Sequence, residues 1–272
     1  MSADSKLYDH YLAIIGARKE SPSLPALERL VLGNITRIPF ENISKLYYFK
    51  KFQRRTIPDF ETYLEGIEKY NLGGTCHSNN IFLNQLLKYL GYDARLCGAD
   101  MTNPDVHVIN IVSIEKHEFI VDCGYAAPFV KPLPRDLPDD QIVELGSDRY
   151  VLHPQDSNGY SRVDMYRNND LIHGYTAKPM ARSIDYFKDS IANSFSEQSN
   201  FMNSIMLVRF YGKRSIAIRN YKLIFNEAPL SEFSDIANRT ELIETVKKHF
   251  SIPPEIVTTA IEGLNLDQDI YD

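Results

Sequence analysis

A change of hydrophobic period at Gly91 constrains this chain more than any other feature of its sequence. Up to that point apolar residues recur every three or four positions, the spacing that gives a helix one buried face. Leu7, Tyr11, Ile14 and Ile15 mark a first helix. Leu27, Leu30, Val31, Asn34 and Ile35 mark a second, with Ser23 ahead of Pro25 as its start signal. Pro39 biases Ile38 toward extended backbone and ends that helix, after which Phe40 reads as core and Glu41 as surface. A third helix is expected where Asp59 caps Phe60, Tyr63, Leu64, Ile67 and Tyr70. The next carries Ile81, Leu83, Leu86, Leu87 and Leu90 and closes at Gly91.

Beyond Gly91 the apolar residues alternate. Ala94, Leu96 and Gly98 share one side of a strand, residues 106–114 are rich in β-branched side chains, and residues 119–123 supply a third strand, so an antiparallel hairpin is expected. Side chains alternate along strands, so any turn with an even number of residues near Glu115 to Glu118 puts His107 and Asp122 on the same face. Prolines at 128, 132, 134 and 138 break the next stretch into loops, where Asp136, Asp139 and Asp140 read as solvated. Strands are expected at 149–152, 161–167 and 171–175, with Asn168-Asn169-Asp170 as turn material. Ser183 can cap a helix running to about residue 193. Residues 205–210 and 215–218 make a hairpin across Gly212-Lys213, and 221–225 a further strand. Leu242, Ile243, Val246 and Phe250 then share a helical face, and a short helix begins near Pro254.

At 272 residues the chain can bury a sizeable core, enough for roughly two domains, or one with a large elaboration. A formal net charge of -6 sets up no field that would draw nucleic acid or acidic lipid, and neither partner is expected. Met1-Ser2-Ala3-Asp4-Ser5 lacks the basic and apolar regions of a signal peptide, and no apolar run is long enough to span a bilayer, so the expected location is the cytoplasm. The three cysteines, Cys76, Cys97 and Cys123, are too few and too scattered for a disulfide framework or a zinc cluster; no metal is expected. Nothing in the sequence fixes an oligomeric state.

The chemistry concentrates at Asn71-Leu72-Gly73-Gly74-Thr75-Cys76-His77-Ser78-Asn79-Asn80. Gly73 and Gly74 can adopt backbone conformations closed to other residues and so bring Cys76 close to a bound molecule. A cysteine in the first turn of a helix sits at the positive end of the helix dipole, which favours the thiolate. The plainer reading is a buried, inert thiol. A cysteine that attacks an acyl group needs a base, and the base needs an acceptor that fixes its tautomer. His107, between Val106 and Val108, and Asp122, between Val121 and Cys123, have the residue types for those roles, and each needs a partner if it is inside. They could equally do no more than satisfy one another in a core.

Taken together, Ile38-Pro39-Phe40-Glu41-Asn42, Gly73-Gly74-Thr75-Cys76 with Asn80 after it, His107 before an apolar strand, and Val121-Asp122-Cys123-Gly124-Tyr125 resemble the arylamine N-acetyltransferase family over nearly the whole chain. The resemblance implies an α+β fold in three parts: a helical bundle at residues 1–91 carrying the cysteine, a central antiparallel β-barrel at 92–195 carrying His and Asp, and a carboxy-terminal α/β lid at 196–272. The bundle and barrel would share a papain-like core. It implies ping-pong chemistry in which acetyl-CoA, the acyl donor, acylates Cys76. His107 would move the proton under the guidance of Asp122, and an arylamine or hydrazine would then take the acetyl group. Phe40 and Tyr125 match positions that line the acceptor pocket, and Gly124 starts the loop beside cofactor and substrate.

The chain departs from the family pattern where Leu72 replaces an Arg, Thr75 and His77 replace aromatics, and Ser78 replaces a Glu. The family's Arg pairs with the position of Glu41, so Glu41 is expected either to be exposed or to have found another base. His77 adjoins the nucleophile, but neighbouring side chains on a helix point to different faces, which favours His107 as base. Lys131 and Arg135 lie near the loop expected to meet CoA and read as solvated. Beside the acetyltransferase stand a related acyl- or amide-forming enzyme with another donor or acceptor, and a silent homologue that only binds a small ligand. Peptide hydrolysis has nothing beyond the shared core in its favour.

Overall fold

The helical part of the chain is α1 (Ala3–Ile15), α2 (Leu24–Arg37), a two-residue strand β1 (Phe40–Glu41), α3 (Ile43–Phe52), α4 (Phe60–Tyr70) and α5 (Cys76–Tyr89). The structure, a computed structural model, describes residues 3–227 and 230–267. Local signals account for most of these boundaries. Ser23 accepts the Ala26 amide at the start of α2, and Ile38 is extended at its end. Asp59 takes the Thr62 amide at 2.8 Å to open α4, and Asn71, at φ 53°, closes it. Gly91, at φ +89°, follows α5. Helix α3 has no counterpart among the expected elements. Its sequence, Ile-Ser-Lys-Leu-Tyr-Tyr-Phe-Lys-Lys-Phe, has no clean apolar stripe, and its aromatics are shared between core and surface.

Strands β2 (Asp93–Asp100), β3 (His107–Ile114), β4 (His117–Val121), β5 (Leu133–Pro134), β6 (Gln141–Leu145), β7 (Asp148–Leu152), β8 (Ser161–Arg167) and β9 (Asp170–Ala181) make one sheet. Its order is β5-β4-β3-β2-β9-β8-β7-β6, antiparallel throughout and curled into a nearly closed barrel. A 3₁₀ turn (Ile184–Phe187) follows, with α6 (Lys188–Asn193) and α7 (Asn200–Asn203). Then β10 (Met206–Tyr211), β11 (Arg214–Arg219), β12 (Lys222–Glu227) and β13 (Leu230–Asp235) form a second antiparallel sheet with β1 on its edge, and α8 (Arg239–Phe250) and α9 (Pro254–Ile261) complete the described chain. Strands β6 and β13 go beyond the expected set. Both lie on sheet edges and bury little, so their order comes from a neighbour's backbone rather than from a strong alternation of their own.

Two apolar clusters form the core. One joins α1, α2, α4 and most of α5 to the barrel interior and one face of the second sheet, and the other gathers α3, α8, α9 and that sheet's opposite face. Helix α5 lies between them, giving Phe82, Leu83, Leu86 and Leu87 to the first and Ile81 to the second. It is buried over most of its length, so Cys76, His77, Ser78, Asn79, Asn80 and Asn84 are all inside. Arg135 is a correction to the sequence reading: at 1% exposure it is not solvated. Its Nη1 meets Glu118 at 2.6 Å and its Nε donates to Ser161 at 3.0 Å. Asp136 is half-buried and accepts the Glu118 amide, whereas Lys131 is exposed and pairs loosely with Glu28.

Asn42 ties the two ends of the chain together. Its Nδ2 donates to the carbonyls of Phe201 and Ser204 at 2.9 and 2.7 Å, and its Oδ1 accepts the Met206 amide at 2.8 Å. Truncation would orphan buried backbone groups, each costing about 1–3 kcal/mol. Asn42→Ala is therefore expected to lower the unfolding free energy by about 2–4 kcal/mol, read from the urea midpoint at unchanged m-value.

Candidate active site

Cys76 is the first residue of α5, and Thr75 ahead of it is extended. The loop that delivers the thiol is held by contact. A Cβ on Gly73 would lie 2.0 Å from the Pro39 carbonyl oxygen, and one on Gly74 would lie 1.9 Å from Ser78 Oγ. Neither glycine has left-handed φ, so close approach, not special backbone conformation, excludes side chains there. Beneath the loop is Glu41, fully buried where the sequence placed it on the surface. Neither exposure nor a replacement base resolves the missing Arg. The carboxylate accepts the backbone amides of Ser44 at 2.8 Å and Gly73 at 2.9 Å, while its own amide donates to the Gly74 carbonyl at 3.1 Å. Burial pushes this carboxyl above the ordinary range, against the pull of those hydrogen bonds.

His107 opens β3 and Asp122 follows the end of β4. Their strands pair Asn110 with Val121, and the two-residue connection Glu115-Lys116 has the even parity that keeps both side chains on one face. His107 Nε2 and Asp122 Oδ2 are 2.8 Å apart. Asp122 Oδ1 accepts from Asn80 Nδ2 at 2.7 Å and from the Gly124 amide at 2.9 Å. Asn80 also donates to the Val108 carbonyl at 2.6 Å and accepts the Cys123 amide at 2.9 Å. One turn below Cys76, it fastens the helix to both strands. With Nε2 taken by Asp122, Nδ1 is the ring nitrogen left over, and Cys76 is near enough to act on the imidazole.

Burial alone would push His107 down, but Asp122 and Cys76 outweigh it and raise its pKa. Burial likewise works against the Asp122 charge, and His107 and Asn80 overcome it, holding the carboxyl below its usual range. The imidazole packs against two aromatic rings that also touch each other, with centroid distances of 4.9 Å to Tyr175 and 5.6 Å to Tyr125. Tyr175 escaped the sequence reading because a tyrosine alternating along a strand looks like any core residue. Tyr125 also binds His173 Nδ1 through its hydroxyl at 2.6 Å. Gly124 rests directly on Cys76, since a Cβ there would come 2.5 Å from Cys76 Cα. Phe40 is buried against Phe201 and joins the site through a bridge to Gly74. All six residues singled out in the sequence thus converge around the head of α5.

His77 is also inside, 4% exposed, and its Nε2 has no hydrogen-bond partner. Burial, helped by the charge of Lys45, pushes its pKa down to about 3. It lines a small depression open to solvent, together with Lys45, Tyr48, Thr75 and Phe195. A second recess, of about 460 Å³, opens between the two sheets beside Ala126, Tyr150 and Phe210.

A family model described as N-acetyltransferase matches residues 23–257. The chain is 31% identical over 126 residues to the arylamine N-acetyltransferase, pineal gland isozyme NAT-10, of Gallus gallus, covering 43% of this chain and 42% of that protein. It is 27% identical over 125 residues to N-malonyltransferase FDB2 of Fusarium pseudograminearum, covering 40% and 36% respectively. Each match thus spans less than half the length of the curated relative. Among solved structures, the arylamine N-acetyltransferase of Nocardia farcinica superposes with TM-score 0.80 at 23% identity, over 96% of this chain and 95% of that one. The Mycobacterium marinum enzyme in complex with CoA superposes with TM-score 0.79 at 17% identity, over 94% and 99%.

The state of Glu41 yields a test. Its folded pKa is raised, so the fold favours the protonated form: this contribution to stability is full below the unfolded pKa, near 4.5, and is lost as pH rises through the folded value. Glu41→Gln removes the titration. The stability margin of the wild type over Glu41→Gln is expected to shrink as pH rises from about 4.5, measured by urea unfolding across pH 4–8. A margin that grows over that range would show a net stabilised carboxylate.

Proposed function

The chain belongs to the arylamine N-acetyltransferase family, and from that premise we propose that it is an acyl-CoA-dependent N-acyltransferase whose Cys76 carries the acyl group as a thioester. The observation behind this reading is the line from Cys76 to His107 to Asp122, with the last two 2.8 Å apart and Asp122 also tied to Asn80 and Gly124. A histidine serving only as core filler would need neither a cysteine close enough to raise its pKa nor a carboxylate fixed from three sides.

Acetyl-CoA is the proposed donor. His107 takes the Cys76 proton, the sulfur bonds to the thioester carbonyl carbon, the carbon–sulfur bond to CoA breaks, and CoA leaves with the proton from His107. An arylamine or hydrazine then attacks the Cys76 thioester, its nitrogen proton passing to His107 and on to the departing sulfur. Asp122 holds the imidazole in one tautomer and stabilises the imidazolium. Phe40, Tyr125 and Gly124 form the acceptor wall in this proposal. Residues 1–91 supply the nucleophile, 92–195 the base and its carboxylate, and 196–272 the cover. Two features give weight to a donor or acceptor other than the usual ones: Thr75, which removes apolar wall beside the thiol, and His77, which places an unpartnered imidazole there.

Intact mass after brief exposure to acetyl-CoA is expected to show an acetyl adduct on the wild type and none on Cys76→Ala. A wild type without adduct whose Cys76 also resists iodoacetamide would point to the silent homologue. Asp122→Asn leaves the thiol in place but spoils the tautomer of His107, and is expected to slow acyl-enzyme formation by about 10²–10⁴-fold in a quenched time course.

A further inference from the structure

Lys45, on α3, lines the depression beside the nucleophile and has no carboxylate partner among the described residues. Its Nζ donates to Ser194 Oγ at 2.6 Å and lies 3.9 Å from the centre of the Phe195 ring. Lys45 is half-buried, and an ammonium drawn in from water in this way is normally paired. Removal from solvent lowers its pKa to about 7, and the one charge acting in its favour is that of Cys76. Bordering the same space is His77, 96% buried by its 4% exposure, with Nε2 unsatisfied. With its pKa near 3 it is a neutral imidazole that can present one N–H. The lining contains no Asp or Glu.

A cation and an orphaned imidazole facing a space with no acid in it call for an anionic ligand that accepts at least two hydrogen bonds. Gly74, Thr75, His77 and Ser78, the residues on either side of Cys76, line this depression although Cys76 itself does not, so a ligand held there lies against the loop and the helix turn that present the sulfur. Neither Phe40 nor Tyr125 lines this depression. A lysine there also repels a protonated amine, which argues against the acceptor as occupant. We infer that Lys45 and His77 form a carboxylate subsite, and that the preferred acyl donor is the CoA thioester of a short dicarboxylic acid, gripped by its free carboxylate while Cys76 attacks the thioester carbonyl. This rests on the acyltransferase reading above. The bonds made and broken are those already given; the free carboxylate is held and takes no part in them.

The test is acyl-enzyme formation on the full chain without acceptor, followed by quenched intact mass with acetyl-, propionyl-, malonyl- and succinyl-CoA. In the wild type one dicarboxylic ester is expected to load at least about tenfold faster than the uncharged esters, the scale of one charge-assisted hydrogen bond. Lys45→Met is expected to lower that charged-to-uncharged ratio at least about tenfold. His77→Phe, which leaves the lysine in place, is expected to lower it about threefold or more and keeps the test alive if the lysine variant does not fold. Equal or slower loading by the dicarboxylic esters, or a ratio unmoved in the variants, overturns the subsite alone, because acetyl loading still upholds the acyltransferase. A preference seen only for carboxylated amine acceptors also overturns it. No adduct from any ester overturns the acyltransferase reading, and the subsite with it.

Discussion

The structure around Cys76 depends on keeping one buried carboxylate ionised. Asp122 sits 2% exposed, where an unpaired charge would cost several kcal/mol. Three contacts hold it, from the imidazole of His107, the amide of Asn80 and the backbone of Gly124, and Asn80 is itself anchored to the backbone of β3. Because those partners come from α5, β3 and the loop after β4, satisfying the charge also fixes how the cysteine helix meets the barrel. Raising His107 and lowering Asp122 are two views of that single ion pair.

A second buried carboxylate manages the loop. Glu41 lies beneath Gly73 and Gly74 and takes its hydrogen bonds from backbone rather than from an arginine. Its charge is supported only by dipoles, and its raised pKa records the difference. The same residue is part of β1, which pairs with β10 through Glu41 and Leu207. Loop geometry at the thiol is thereby linked to the edge of the second sheet, and Asn42 beside it extends the link to Phe201, Ser204 and Met206.

Lys45 reverses this pattern. Asp122 and Glu41 are each answered by donors within the chain, whereas Lys45 is answered by a hydroxyl and an aromatic face. The residues that set this neighbourhood apart from the family pattern, Thr75, His77 and Ser78, occupy the first turn of α5 or the position before it and line the same depression.

Much of this was legible in the chain itself. Period, caps and turn residues set the helices up to Gly91, the hairpin from β3 to β4 and the parity that puts His107 beside Asp122, because these depend on neighbours a few residues apart. Residue types pointed to Cys76, His107 and Asp122, and the family resemblance pointed to Phe40, Gly124 and Tyr125. Only the tertiary structure decided that Glu41 and Arg135 are buried, that α3 is a helix, that Tyr175 covers the imidazole and that Lys45 lies near Cys76 with no carboxylate partner among the described residues. The physical reason is the same in each case. Whether a charged or aromatic side chain is inside, and what satisfies it there, is set by segments distant in the chain, such as Gly73 for Glu41, Ser161 for Arg135 and Ser194 for Lys45, and no local pattern records them.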